Sequence, residues 1–143
     1  MNQIKFFSGD RKIDLTNRTL FKINLLRLFE NEGKELKNLS VIFCSDEFLL
    51  HINQEHLSHD YYTDIITFQF SNKYKFLDGE IYISVDRIKE NAKIYLSSYQ
   101  NELHRVLIHG ALHLCGFNDK KGNEHKLMKK KEDYYVKKFS RET

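Results

Sequence analysis

The feature that most constrains this chain is the apolar register that begins after Ser98. Leu103, Val106, Leu107, Ala111 and Leu114 recur at helical spacing, the longest such pattern in the sequence, and Gly116 is placed to end it. A helix of this kind must press its apolar stripe against another layer. The β-branched and aromatic runs NLSVIFCS, DIITFQF and EIYISV read as strands able to form that layer. The last two are separated by a charged stretch containing Asp78-Gly79 and are expected to lie side by side.

Four further helices are expected. LTNRTLFKINLLRLFENEG carries Leu20, Ile23, Leu26 and Phe29 at helical spacing, with Gly33 as a stop. SDEFLLHINQEHL takes Ser45 or Asp46 as N-cap and Phe48, Leu49 and Ile52 as its stripe. Asp86 can cap a helix through Ala92 and Ile94. GNEHKLMKKKEDYYVKKF sets Leu127, Met128, Tyr134, Tyr135 and Phe139 on or near an inner face. Alternating helix and strand give an α/β (α+β) fold, a small mixed sheet of about four strands covered by helices. At 143 residues, without repeat, linker or composition break, residues 1–143 read as one domain. Strand order is not readable from this pattern.

Composition excludes several classes. Hydrophobic residues make up 41% and aromatics 13%, as in a folded globular chain rather than a disordered one. No apolar run approaches the roughly 20 residues that span a bilayer. MNQIKFFSGDRKIDL has no apolar core or cleavage site of a secretory signal, so a cytoplasmic location without membrane association is expected. Cys44 and Cys115, in apolar stretches, read as buried reduced thiols. Net charge is +3, but from Lys120 onward there are nine Lys or Arg against four Asp or Glu. This basic segment is either a solvated helix face or a holder of phosphates.

Two histidines interrupt the apolar helix. At about 100° per residue, His109 and His113 lie some 40° apart and one turn removed, so both imidazoles can reach one point beside the helix. Cys115 lies about 200° round from His113 and faces away. Positive φ at Gly116 lets the chain reverse and bring Asp119 back as a third ligand. Two histidines, one carboxylate and an open position make a catalytic rather than a structural zinc pattern. His51, His56, His59, His104 and His125 have no such partners in sequence and default to surface or hydrogen-bonded roles. In H-E-x-x-H peptidases the glutamate is the general base; glycine stands there, at Gly110. A water in the open position must then be activated mostly by the metal itself or with help from another residue, no protein general base being identified, and phosphodiester cleavage suits such a site.

HGALHLCGFND resembles the H-G-x-L-H-L-x-G-Y-D-H signature of the YbeY family, bacterial ribosomal RNA maturation factors described as metal-dependent endoribonucleases. INQEHLSHDYYTDIITF is similar to that family's L-N-x-x-Y-R-x-x-D-x-P-T-D-V-L-S-F, matching at Asn53, Asp60, Thr63, Asp64 and Phe68. LDGEIYIS matches its sheet strand at Gly79, Ile81, Ile83 and Ser84, and Glu124, Met128 and Glu132 fit its C-terminal pattern. The resemblance covers about residues 45 to 132, with a compatible strand and helix before it.

The resemblance implies a single-strand-specific endoribonuclease of ribosomal RNA maturation and quality control. Zn²⁺ or another divalent metal would be held by His109, His113 and Asp119, with the small ribosomal subunit and its proteins as further partners. The sequence departs from the family at three places. Asp119 replaces the third histidine, with Asn118 before it; His56-Leu57 replaces a tyrosine-arginine pair; Tyr62 replaces a proline. An arginine suits a phosphate or a developing negative charge, and Leu57 does not, so either that role moves to Arg105 or to Lys120 and Lys121, or activity is lower than the family implies. Thr63 and Asp64 either cap a turn or face the metal, and Asn53 either bonds a helix end or contacts substrate. Rival functions are a metallohydrolase of peptides, a non-catalytic ribosome-assembly factor with a structural metal, and a mononuclear iron oxygenase.

Overall fold

The computed structural model describes residues 2–58, 61–71 and 75–141, so the expectations for His59 and Asp60 fall outside the described residues. The elements run β1 (Ile4–Ser8), α1 (Arg18–Asn31), β2 (Glu35–Cys44), α2 (Asp46–His56), β3 (Ile65–Gln69), β4 (Phe76–Ser84), α3 (Val85–Ile94), α4 (Tyr99–Leu114) and α5 (Gly122–Arg141). Four strands form one mixed sheet in the order β1-β2-β4-β3. β1, β2 and β4 are parallel, while β3 pairs antiparallel with β4, Thr67 opposite Ile81. The two runs flanking Asp78-Gly79 are thus neighbours, as their spacing indicates.

The sheet is covered on both faces. The inner side of β4 alternates Leu77, Ile81 and Ile83 into the main core, where they meet Leu103, Leu107, Ala111 and Leu114 of α4. Complete burial of one such leucine stabilises the fold by about 1.5–3 kcal/mol. On the opposite face α2 sets Leu49 and Ile52 against Ile66, with Phe68 and Tyr82 alongside. α1, α4 and α5 close the first face: α5 contributes Met128, Tyr135 and Phe139 to the core. Lys131 and Tyr135 bind Glu32 at the end of α1.

Helix starts follow local chemistry. Ser45, Ser84 and Ser98 each accept a backbone N–H from three residues on, satisfying orphan donors of α2, α3 and α4. Asp86 is therefore not the cap of α3. It lies inside the first turn, where its carboxylate accepts the N–H of Asp46 and binds Arg11. Three apolar stripes also differ from expectation. In α1 the buried residues are Phe21, Leu25, Leu28 and Phe29 rather than Leu20, Ile23 and Leu26, because apolar residues surround that helix and packing selects the face. Phe48 is 40% exposed, one residue outside the Leu49–Ile52 contact, and Leu127 and Tyr134 stand exposed on the outer side of α5. Cys44 and Cys115 are buried free thiols, and burial pushes the Cys115 thiol up to about 12. No helix among the described residues is long and apolar enough to cross a membrane.

Candidate metal and RNA-binding site

α4 ends in a double-bonded turn. The N–H of Gly116 donates to His113 O and that of Phe117 to Leu112 O, with Gly116 at φ 104°, a conformation that only glycine takes without strain. The turn has a second effect. It presents Phe117 O to the ring of His113, whose Nδ1–H donates to it at 2.8 Å. A carbonyl can only accept, so His113 carries its proton on Nδ1 and leaves the Nε2 lone pair outward.

His109, one turn earlier, is held in the same sense by α5. Its Nδ1–H donates to Glu132 Oε2 at 2.7 Å. Glu132 is gripped by Arg105 at 3.1 Å, and Arg105 also takes Asp133 at 2.9 Å. The two imidazoles stand edge to face with centroids 4.5 Å apart. After the turn Asp119 lies with Oδ2 3.9 Å from His109 Nε2, and its Oδ1 accepts from His125 Nδ1 at 2.7 Å.

The electrostatics separate the two rings. Burial disfavours the charged form of His109, but the hydrogen bond and charge of Glu132, joined by Asp119 and Asp64, outweigh it and raise its pKa. Burial and the neighbouring His109 lower that of His113. The two shifts are opposite in direction, so His109, next to the carboxylates, takes up a proton more readily than His113. Asp64 is deeply buried beside them, and loss of hydration raises its pKa despite the favourable charge of His109.

The donor set fits a divalent metal of the zinc type. Two imidazoles have Nδ1 fixed by a carboxylate and a carbonyl and Nε2 left available, the usual outer support of metal-bound histidines, and a carboxylate lies across from them. Asp119 uses Oδ1 for His125 and leaves Oδ2 facing His109 Nε2, although among the described residues no three His, Cys, Asp or Glu side chains are already gathered at ligand spacing.

Gly110 has a packing reason. A Cβ there would lie 2.5 Å from Ile65 Cδ1 and 3.3 Å from Ile81 Cδ1. This face of α4 presses on β3 and β4, so a glutamate would meet the sheet rather than reach the water side.

The expected substrate residues divide. Asn53, Thr63, Asp64 and Lys120 line a cavity of about 550 Å³ with His109, His113 and Asp119, and Leu57 lies on its wall. Asn53 is 2% exposed and its Nδ2 donates to Tyr61 O, so it fixes the loop. Thr63 Oγ1 donates to Ile65 O, which is the turn-capping alternative. Arg105 lines a neighbouring cavity, but Glu132 and Asp133 occupy its guanidinium; it positions the carboxylate behind His109. Lys121 lines none of the described cavities, and its carbonyl accepts from His125 N–H. Where the family has proline, Tyr62 donates to Glu47 Oε1 and lies under Arg87, side-chain anchors in place of a rigid ring.

Sequence reasoning missed Glu132 as a site residue, along with His125, Glu102 and Tyr95. Glu132 lies 23 residues from His109, and no local spacing could announce that contact. His125 was separable from the other histidines only by the chain reversal at Gly116.

Known proteins resemble this chain over most of its length. The family model described as Endoribonuclease YbeY matches residues 3–140, well beyond the segment from 45 to 132 carried by the motifs. The chain is 45% identical over 130 residues to an Endoribonuclease YbeY of Cytophaga hutchinsonii, covering 91% of each. It is 47% identical over 130 residues to that of Parabacteroides distasonis, again 91% of each. A solution structure from Thermotoga maritima superposes with a TM-score of 0.66 at 28% identity, over 97% of this chain and 90% of that one. With its fold and nearly all of its length accounted for by these matches, the chain belongs to the YbeY endoribonuclease family.

Proposed function

We propose that the protein is a one-domain cytoplasmic endoribonuclease that cuts single-stranded ribosomal RNA during maturation and quality control, working with the small ribosomal subunit. The observation that carries this reading is the pair of imidazoles on α4, each anchored at Nδ1 and open at Nε2 toward a solvent-filled cleft. Zn²⁺ is the metal best suited to two imidazoles and one carboxylate, from His109, His113 and Asp119. When bound, it supplies Lewis acidity, neutralising a phosphoryl oxygen and acidifying water.

The remaining chemistry belongs to the chain. Glu132, itself held by Arg105, keeps the Nδ1 proton of His109 in place and the ring aimed outward. Phe117 O does the same for His113. Asp64, within the cleft and short of hydration, is the carboxylate suited to take a proton from the attacking water. Lys120 adds positive charge on the cleft wall for the RNA backbone. Gly110 argues against a peptidase, since that helix position is filled by the sheet.

A non-catalytic assembly role draws support from one feature: Arg105 is committed to Glu132 and Asp133, and Leu57 carries no charge, so the cleft lacks a spare guanidinium. The deciding experiment incubates the purified protein with labelled single-stranded ribosomal RNA, with and without chelator, beside a His113→Ala preparation. Cleavage lost in both controls is expected. Cleavage that persists in the His113→Ala sample would overturn the site assignment, and no cleavage by the unaltered protein would favour the assembly role.

A further inference from the structure

The cleft has two arms that meet at Asp119. Toward β3 lies the arm with Lys120 and Leu57; toward α3 lies a second arm of about 460 Å³, walled by Tyr95, Arg105, His125 and Lys129. Tyr95 also shares a cavity with His109 and Asp64. It closes α3: its N–H bonds Asn91 O, and Leu96 follows in the left-handed region at φ 53°, turning the chain sharply away.

The exposure of this corner is unusual. Ile94, Tyr95 and Leu96 are 62%, 69% and 95% exposed, three apolar residues in succession beside the candidate site. Among the described residues the Tyr95 side chain has no hydrogen bond, ring contact or cation contact, so the fold does not require it. Consecutive exposed apolar residues have a cost in solubility that function commonly explains. The arm's one guanidinium is already neutralised by Glu132 and Asp133. Its lining also includes the carboxylates of Glu102, Asp119 and Glu132 and the imidazole of His125, with Asp119 held by His125; for a base it offers the aromatic face of Tyr95, and for a phosphate Lys129.

Resting on the ribonuclease reading above, we propose that Tyr95 is a stacking platform for an unpaired RNA base adjacent to the cleaved phosphate. A phosphate held at the centre of the cleft places its flanking nucleotides in the two arms. An unpaired base has a free π-face to lay on the tyrosine ring, whereas a duplex base is covered by its neighbours on both sides. The contact thereby gives the site its selectivity for single strands.

The test uses the full protein in chelator, so that binding is read without cleavage, and a single-stranded RNA oligonucleotide containing 2-aminopurine. The unaltered protein and Tyr95→Phe are expected to quench the probe on stacking. Tyr95→Ala is expected to lose the quench and to bind about tenfold more weakly. Its thermal midpoint should stay unchanged, since the side chain is exposed. The same probe annealed into a duplex should not be quenched. Quench and affinity unchanged in Tyr95→Ala would overturn the proposal. So would normal RNA binding by Tyr95→Ala combined with lost association with ribosomal particles, which would make the corner a protein contact. The two readings fail separately. If metal-loaded protein does not cut RNA but the Tyr95-dependent quench remains, the ribonuclease reading falls and with it the place of the base beside a cleaved phosphate, leaving Tyr95 as a base-binding residue only; if cleavage proceeds with unchanged KM in Tyr95→Ala, the platform falls alone.

Discussion

Two faces of α4 do opposite work within one turn of helix. The face bearing Gly110, Leu107 and Ala111 lies dry against β3 and β4, so close that a single added carbon at Gly110 meets Ile65. The face bearing His109 and His113 borders the cleft, its rings held by polar partners from the helix-ending turn and from α5. The first is governed by volume, and any added atom must displace the end of Ile65. The second is governed by hydrogen-bond direction and tolerates no missing atoms. A residue between two histidines is thus chosen by the sheet behind it, and peptidase chemistry is closed off by packing rather than by a lost base.

This contrast can be broken at its strongest point by His113→Ala, which should leave secondary structure intact while eliminating retained metal and all RNA cleavage. Metal content by elemental analysis together with a cleavage assay measures both, and a variant that keeps its metal refutes the polar half of the contrast. Gly110→Glu attacks the other half. Overpacking and a buried carboxylate should cost about 3 kcal/mol or more, seen as a large fall in the urea midpoint; a midpoint like that of the unaltered protein would mean the sheet can yield.

Glu132→Gln is subtler, since amide and carboxylate have similar shape. It should weaken metal binding about 10- to 100-fold and leave stability nearly unchanged. In the metal-free protein the pKa of His109, raised through Glu132, should fall, as followed by the imidazole resonance in NMR titration. Unaltered metal affinity would remove Glu132 from the site.

The smallest effect concerns a third face of the same helix. His104 stacks on Phe21 with centroids 4.7 Å apart, and burial lowers its pKa. Folding therefore favours the neutral ring, and its contribution is complete above the unfolded value of about 6.5 and is lost as pH falls toward the lowered folded value. A His104→Gln variant should flatten this part of the stability profile; an unchanged slope would assign the acid sensitivity elsewhere.

Legibility in the sequence followed the range of the interactions. Hydrophobic period located α4 and the two antiparallel strands, and the spacing of His109, Gly116 and Asp119 anticipated the reversal, because helix geometry and one glycine determine these locally. The apolar stripe of α1 was misplaced, since apolar residues encircle it and contact with β2, α4 and α5 selects Phe21 and Leu25 over Leu20 and Ile23. Arg105 looked like a substrate ligand because its partners lie 27 and 28 residues away on α5. Tyr95 had no signal beyond an apolar residue near a helix end; its exposure is a property of the folded surface alone.

The hold of Glu132 on His109 also has a consequence in time. The chain is made from its N-terminus, and the sheet, α4 and both histidines emerge before the residue that steadies one of them. A nascent chain interrupted before α5 could pack much of its core and still present a slack, poorly oriented imidazole. An RNA-cutting protein synthesised on a ribosome then completes its blade only once α5 has emerged and Glu132 has closed on His109.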